Sequence, residues 1–381
     1  MSIEKSFEIL LSDYINLSSL CDGKHGGDVE GCDICLAKKT YDQLAQLLKD
    51  NVYIQDEQDD KPSTFLTGSY ARHTMIRPPK DIDFFLVLDK KEYHDDILDE
   101  LLSPKELLQR LFSVMKDIQN TIDGIEIVYQ SHSITIVFTD NFSVDVIPSF
   151  ESDDGESYLI PSLEIDEQGN ILNTGEYISS NPKIHYDYIN RINDKSSSNS
   201  QKRMKKIVRL VKFLKRRAFS EGDWKMRSFH LELLVAATFE KNKISSISKG
   251  LEVFLNRVPL QLSDPGLQDP ANEENIIDDY FIEKPTHIQQ EIIDEYKHIG
   301  EIAVTAVEYE EADDIDSALN EWEKIFPEIN ARKTTAEMLV RKIEEREVYE
   351  GTSVAGLKIG GESSDDQSRK VASSSSWRKP R

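Results

Sequence analysis

Only 3 of the 381 residues are cysteine and 3 are tryptophan, and no apolar run approaches the roughly 20 residues of a membrane-spanning helix. So few cysteines exclude a scaffold built on disulfides. The missing apolar run argues against a helical membrane protein. The N-terminus lacks the basic-then-apolar pattern of an export signal, so a cytoplasmic location is expected. Basic residues are also scarce: Lys plus Arg is 46 against 70 for Asp plus Glu, a formal net charge of −24. Such a surface argues against general affinity for nucleic acid or anionic membrane, and any basic cluster needs a local reason. The length suffices for a sizeable core and suggests two lobes. No internal repeat is visible.

What is there centres on Phe65 to Leu88. Phe84-Phe85-Leu86-Val87-Leu88 is a continuous apolar run, short enough for a buried strand and too short for a helix. Just before it stand Asp81 and Asp83, which alternation puts on one face of the strand. Two carboxylates on one face repel unless something positive lies between them, and hard Mg²⁺ prefers carboxylate oxygens together with substrate phosphates. Upstream, Gly68 lets the backbone approach a phosphate closely, and Ser69 offers a hydroxyl and an N–H to it. The bland alternative, a solvated strand end with two acids, is common in so acidic a chain. Gly-Ser at this distance favours the site.

Gly68-Ser69, a short helical turn and Asp81-Ile82-Asp83 on a strand resemble the polymerase-β-like nucleotidyltransferases. The whole stretch from Gly68 to Asp83 is similar to the narrower cGAS/DncV-like nucleotidyltransferases (CD-NTases), the second-messenger synthases of bacterial CBASS anti-phage systems. The resemblance covers most of residues 40 to 320. It implies a third carboxylate on a neighbouring strand, and Phe142-Ser143-Val144-Asp145-Val146-Ile147 supplies Asp145. A charge in the middle of a half-buried strand is costly unless paired or bound to metal, so an edge-strand acid facing water is the weaker reading.

Along the rest of the chain, Ile3 to Leu17 is expected as an amphipathic helix. Cys21, His25, Cys32 and Cys35 follow as a cluster, with Cys32 and Cys35 at C-x₂-C spacing. They read equally as a structural Zn²⁺ site or as a Gly-rich loop with incidental thiols. A cytosolic disulfide is not expected. Ala37 to Leu48 reads as a helix, and Asp56 to Lys61 as an acidic loop. Arg72, His73, Arg77 and Lys80 are cations that either neutralise triphosphate or form a solvated loop. Ile97 to Ile118 reads as helical, with Ser103-Pro104 starting its main part. Strands are expected at 125–129, 133–138 and 142–147, the last two joined as a hairpin through Thr139-Asp140-Asn141, and at 158–161. The run from Ile178 to His185 resembles the family's crossing between lobes.

Lys202 to Arg217 is the one basic segment, without a single acid. Ile207, Leu210, Val211 and Leu214 recur at helical spacing, so it is an amphipathic helix with a cationic face. A solvated face, a nucleic-acid patch and a triphosphate-holding helix compete here. The resemblance implies the last for Lys212, with the other charges solvated or open to a polyanionic activator. Ser228, expected as the N-cap of a buried helix, resembles the family's second phosphate contact; pure capping is the alternative. Helices at 285–308, 313–322 and 334–347 suggest a closing bundle, and 351–381 lacks a core pattern.

The expected fold is therefore α+β and bilobal: a mixed β-sheet palm with flanking helices and an α-helical C-terminal lobe. The expected segments are N-terminal helices (1–58), palm (59–195), helical lobe (196–350) and tail (351–381). The function implied is metal-dependent joining of NTPs, ATP among them, into a cyclic or linear oligonucleotide messenger with loss of pyrophosphate. The implied site comprises Asp81, Asp83 and Asp145 on Mg²⁺ or Mn²⁺, with Gly68, Ser69, Lys212 and Ser228 on the phosphates. The implied partners are regulators or effectors of the same defence system; a nucleic-acid activator stays open. The alternatives are nucleotidyl transfer to RNA, protein or a small molecule, and a non-catalytic nucleotide- or RNA-binding module. The intact set of three acids argues against the last.

Overall fold

The computed structural model describes residues 2–17, 32–56, 62–95, 100–119, 125–139, 142–166, 168–197, 201–219 and 222–330. In chain order the elements begin with α1 (Ile3–Leu10), which runs on into a wider turn at Leu11–Ile15, and α2 (Asp33–Asn51). Then come β1 (Thr64–Leu66), α3 (Gly68–Ala71), β2 (Ile82–Val87), and the two-residue strands β3 (His94–Asp95) and β4 (Glu100–Leu101). Next are α4 (Pro104–Gln119), β5 (Glu126–Tyr129), β6 (Ile134–Thr139), β7 (Phe142–Glu151), β8 (Tyr158–Ser162) and β9 (Glu176–Ser180). The rest comprises α5 (Pro182–Ser196), α6 (Arg203–Ala218), α7 (Ser228–Phe239), α8 (Ile247–Ser263), β10 (Gln268–Asp269), β11 (Asn272–Ile276), α9 (Asp279–Ile282), α10 (Thr286–Glu311) and α11 (Ile315–Ile325).

These elements fall into two compact units. The sheet unit draws on Lys38–Leu66 and Lys80–Ser180. Its seven strands run in the order β1-β2-β7-β6-β5, with β8 pairing the end of β7 and β9 pairing β8. The β2–β7 pair is parallel and the others are antiparallel, so the sheet is mixed. The apolar run expected as a buried strand is one: Phe84 to Leu88 are all buried. Helix α4 lays Leu107, Leu108, Leu111, Met115 and Ile118 inward at helical spacing. Its start is a capping box. The Ser103 hydroxyl accepts from the Glu106 amide, while the Glu106 carboxylate accepts from the Ser103 amide and hydroxyl. This corrects the longer helix expected from Ile97: residues 100–101 are strand, because the cap at Ser103 and Pro104 prevents helix from running further back.

The helical unit draws on Met1–Ala37, Thr67–Pro79 and Asn181–Glu345. The N-terminal helix and the Gly-Ser segment therefore belong with the later helices, and the sheet unit ends at Ser180 rather than near 195. One continuous core joins α1, α5 to α8, α10 and α11. Trp322 is fully buried, with Phe7 edge-on to it at 5.0 Å. Among the described residues no helix is long and apolar enough to cross a membrane. Asp140 and Asn141 of the expected hairpin, the loop at 57–61, the expected helix at 334–347 and the tail lie outside the described residues.

Candidate active site

The sheet unit brings the three acids together. In the parallel β2–β7 pair Asp83 stands directly opposite Asp145, and Ile82 opposite Val144. Both carboxylates share one sheet face with Phe85, because side chains two apart point the same way. Further along that face Phe65 stacks on Phe85 at 5.2 Å, with Tyr158 edge-on to Phe85 at 5.7 Å. Asp81, just ahead of β2, accepts a 2.8 Å hydrogen bond from the Ser143 hydroxyl. Asp145 accepts one from the Thr135 hydroxyl on β6, where Thr135 is its cross-strand partner.

Burial pushes the Asp145 carboxyl up to about 7, and the charges of Asp83 and Asp81 push the same way against the pull of the Thr135 hydroxyl. Crowded acids that resist ionisation are what a bound cation relieves. Among the described residues no three His, Cys, Asp or Glu side chains already close around one point. The donor set nevertheless suits a hard divalent ion: three carboxylates, all oxygen, two of them on adjacent strands and the third just ahead of one.

The helical unit carries the other candidates. Gly68 has φ +63, a conformation L side chains resist, and from it α3 turns away. The Ser69 carbonyl accepts from the amides of Thr74 and Met75, which folds the following loop back on the turn. Ser228 is the first residue of α7 and not its cap: the capping position is Arg227, which makes no side-chain cap bond. The Ser228 hydroxyl instead accepts from Lys215 at 2.9 Å. Lys212 lies on the buried side of α6. It is 5% exposed, and its ammonium donates to Glu232 and to the Thr74 carbonyl. Glu232 also takes Arg72 and the Thr74 hydroxyl, both at 2.9 Å. Burial opposes its charge, but Arg72 and Lys212 outweigh burial and hold its carboxyl down at about 2.

Residues 33–193 match the family of the Second Messenger Oligonucleotide or Dinucleotide Synthetase domain. A curated cyclic AMP-AMP-AMP synthase of Acinetobacter sp. is 27% identical over 224 residues, 54% of this chain and 57% of that protein. Among solved structures, the Escherichia coli MS115-1 CdnC–HORMA complex superposes with a TM-score of 0.57 at 18% identity, over 85% of this chain and 96% of that one. Vibrio cholerae DncV, a cyclic AMP-GMP synthase bound to a linear intermediate, gives 0.54 at 16% identity, over 88% and 86%. The chain shares the fold of these solved structures, and its residues 33–193 carry the likeness to the synthetase domain family.

The basic helix also needs correction. It is no open cationic face. Arg203 pairs with Glu4, Lys206 with Glu8 and Arg217 with Glu328, and Arg216 donates to the Arg77 carbonyl. Sequence reasoning missed Glu232 and Lys215. The only sequence signal for Glu232 was an acid in the otherwise apolar run from Leu231 to Ala237, which has no innocent place in a buried helix. For the zinc reading, Cys21 and His25 lie outside the described residues. Cys32 is a buried thiol that accepts from the Cys35 amide, and Cys35 is disulfide-bonded, contrary to the expectation of reduced thiols.

Proposed function

We propose that the chain joins NTPs into a cyclic or linear oligonucleotide messenger, releasing pyrophosphate, within a bacterial anti-phage defence system. The observation that carries this is the pairing of Asp83 with Asp145 across parallel strands, with Asp81 beside them. The ribose hydroxyl of one nucleotide attacks the α-phosphorus of another, the bond to the leaving pyrophosphate breaks, and the hydroxyl proton departs. Thr135 occupies Oδ1 of Asp145, so Oδ2 is the oxygen to receive that proton. Asp81, Asp83 and Asp145 would hold Mg²⁺ or Mn²⁺, which supplies neutralisation of the developing phosphate charge and acidification of the attacking hydroxyl.

Gly68, Ser69 and Ser228 are offered as phosphate contacts, and Lys215 replaces Lys212 in that role. The Acinetobacter relative supports ATP as a substrate, and the HORMA complex of the E. coli relative supports regulation by a partner protein.

The test is incubation with the four NTPs and Mg²⁺, followed by mass spectrometry of phosphatase-resistant products. Such products from wild type, and none from Asp83→Asn or Asp145→Asn, support the reading. Turnover by both variants would overturn it. Consumption of NTP only when RNA, protein or a small acceptor is supplied would favour the other transferase reading.

A further inference from the structure

Arg203, Lys206, Lys212 and Arg217 of α6 pair with carboxylates, whereas Lys205 and Arg209 in its N-terminal half make no such pair among the described residues. Lys205 is 9% exposed, and among the described residues its ammonium hydrogen-bonds only an amide oxygen, Oδ1 of Asn190, at 2.5 Å, with the Tyr186 ring 6.0 Å away. One turn on, the Nε of Arg209 is buried without a hydrogen-bond partner. Lys202, at the start of the helix, lies 3.9 Å from Asp194. His73 comes to the same place from the loop after α3, held at φ +56. Three acids offset these cations incompletely: Asp194, Glu232, which Arg72 and Lys212 already hold, and Glu8, which Lys206 already holds.

The electrostatics agree with the geometry. Burial lowers the His73 imidazole, and Lys205, Arg209 and Lys202 lower it further. Burial also brings Lys205 down to about 8, helped by Lys202 and Arg209. Cations crowded into a half-buried place, in a chain of net charge −24, destabilise the fold unless an anion visits them.

We propose that His73, Lys205 and Arg209, with Lys202 and Tyr186 at the edge, form a binding site for a small phosphate-bearing aromatic ligand, a nucleotide rather than a polynucleotide. The phosphate takes the cations, and the ring lies against Tyr186, which is 40% exposed. The other α6 cations are engaged, Arg203, Lys206, Lys212 and Arg217 by carboxylates, Lys215 by the Ser228 hydroxyl and Arg216 by the Arg77 carbonyl, and the acidic exterior repels a long polyanion. Lys205 and Lys215 are ten residues apart, about 15 Å along the helix axis, so this site is not the Lys215–Ser228 contact.

The experiment titrates a fluorescent ATP analogue onto the full chain in EDTA, which silences binding that depends on divalent ions. Wild type should bind, ATP should displace the probe, and Lys205→Gln and Arg209→Gln should each weaken binding by about tenfold, the loss of one charge-assisted hydrogen bond. Lys205→Arg should restore it, while Asp83→Asn leaves it unchanged. Equal binding by wild type and both Gln variants, or none by wild type, overturns the site. A DNA duplex of roughly 20 base pairs that binds more tightly than ATP, with a steep salt dependence, overturns the small ligand in favour of a polynucleotide. Because the assay contains no divalent ion and reads no product, its failure leaves the transferase reading standing, and failure of that reading leaves this site standing.

Discussion

Glu232→Gln tests the strongest electrostatic feature of the helical unit. Glu232 is 1% exposed and bonds to Arg72, Thr74 and Lys212, so it joins the loop after Gly68-Ser69 to α6 and α7. Removing its charge leaves two buried cations sharing a neutral amide, a loss in the range of about 3–5 kcal/mol. Linkage gives an independent figure. The carboxyl falls from 4.5 to about 2 on folding. At 1.36 kcal/mol per pKa unit that is about 3 kcal/mol, in agreement. The folded pKa lies below the unfolded one, so this stability is fully present above about pH 4.5 and is lost as pH falls toward 2. Urea unfolding of wild type and variant should therefore differ by about 3 kcal/mol or more at pH 7. The gap should narrow steadily below pH 4. A difference under about 1 kcal/mol at pH 7, or one that acidification leaves untouched, would refute the reasoning.

Asp145 runs with the opposite sign. Its carboxyl rises from 3.8 to about 7 on folding, so without divalent ion its ionisation costs stability as pH rises through that window. Asp145→Asn should raise the metal-free Tm at pH 8 and leave it unchanged below pH 4, while ending product formation. An unchanged Tm at pH 8 would contradict the crowding argument. Lys215→Ala should raise the KM for NTP several-fold with little change in Tm, whereas Lys212→Ala should lower Tm, because it strips a partner from buried Glu232. The reverse pattern would return the phosphate role to Lys212. Metal analysis of protein purified under reducing conditions addresses the cysteine cluster. Near one equivalent of zinc, lost in Cys32→Ser, supports the zinc reading, and less than a small fraction of one equivalent rejects it.

The acids and their strand were legible in the sequence because both signals are local. A continuous apolar run marks a buried strand, two acids two residues apart must share its face, and a lone acid among alternating apolar residues must face away from them. The amphipathic helix from Arg203 was legible for the same reason, since periodicity alone decides it. Which cation on that helix reaches which partner was not. Lys212 and Lys215 are nearly equivalent in the sequence, three residues apart, yet one turns to Glu232 and the other to Ser228. That choice depends on residues 13 to 138 positions away in the chain, Ser228, Glu232 and Thr74 among them. The Asp83–Asp145 register has the same character, because it is set where parallel strands 62 residues apart are paired. The sequence by itself determined which acids share a strand face and which segment forms the basic helix. Only tertiary packing decided which charges neutralise one another, since burial and pairing are properties of neighbours and not of spacing.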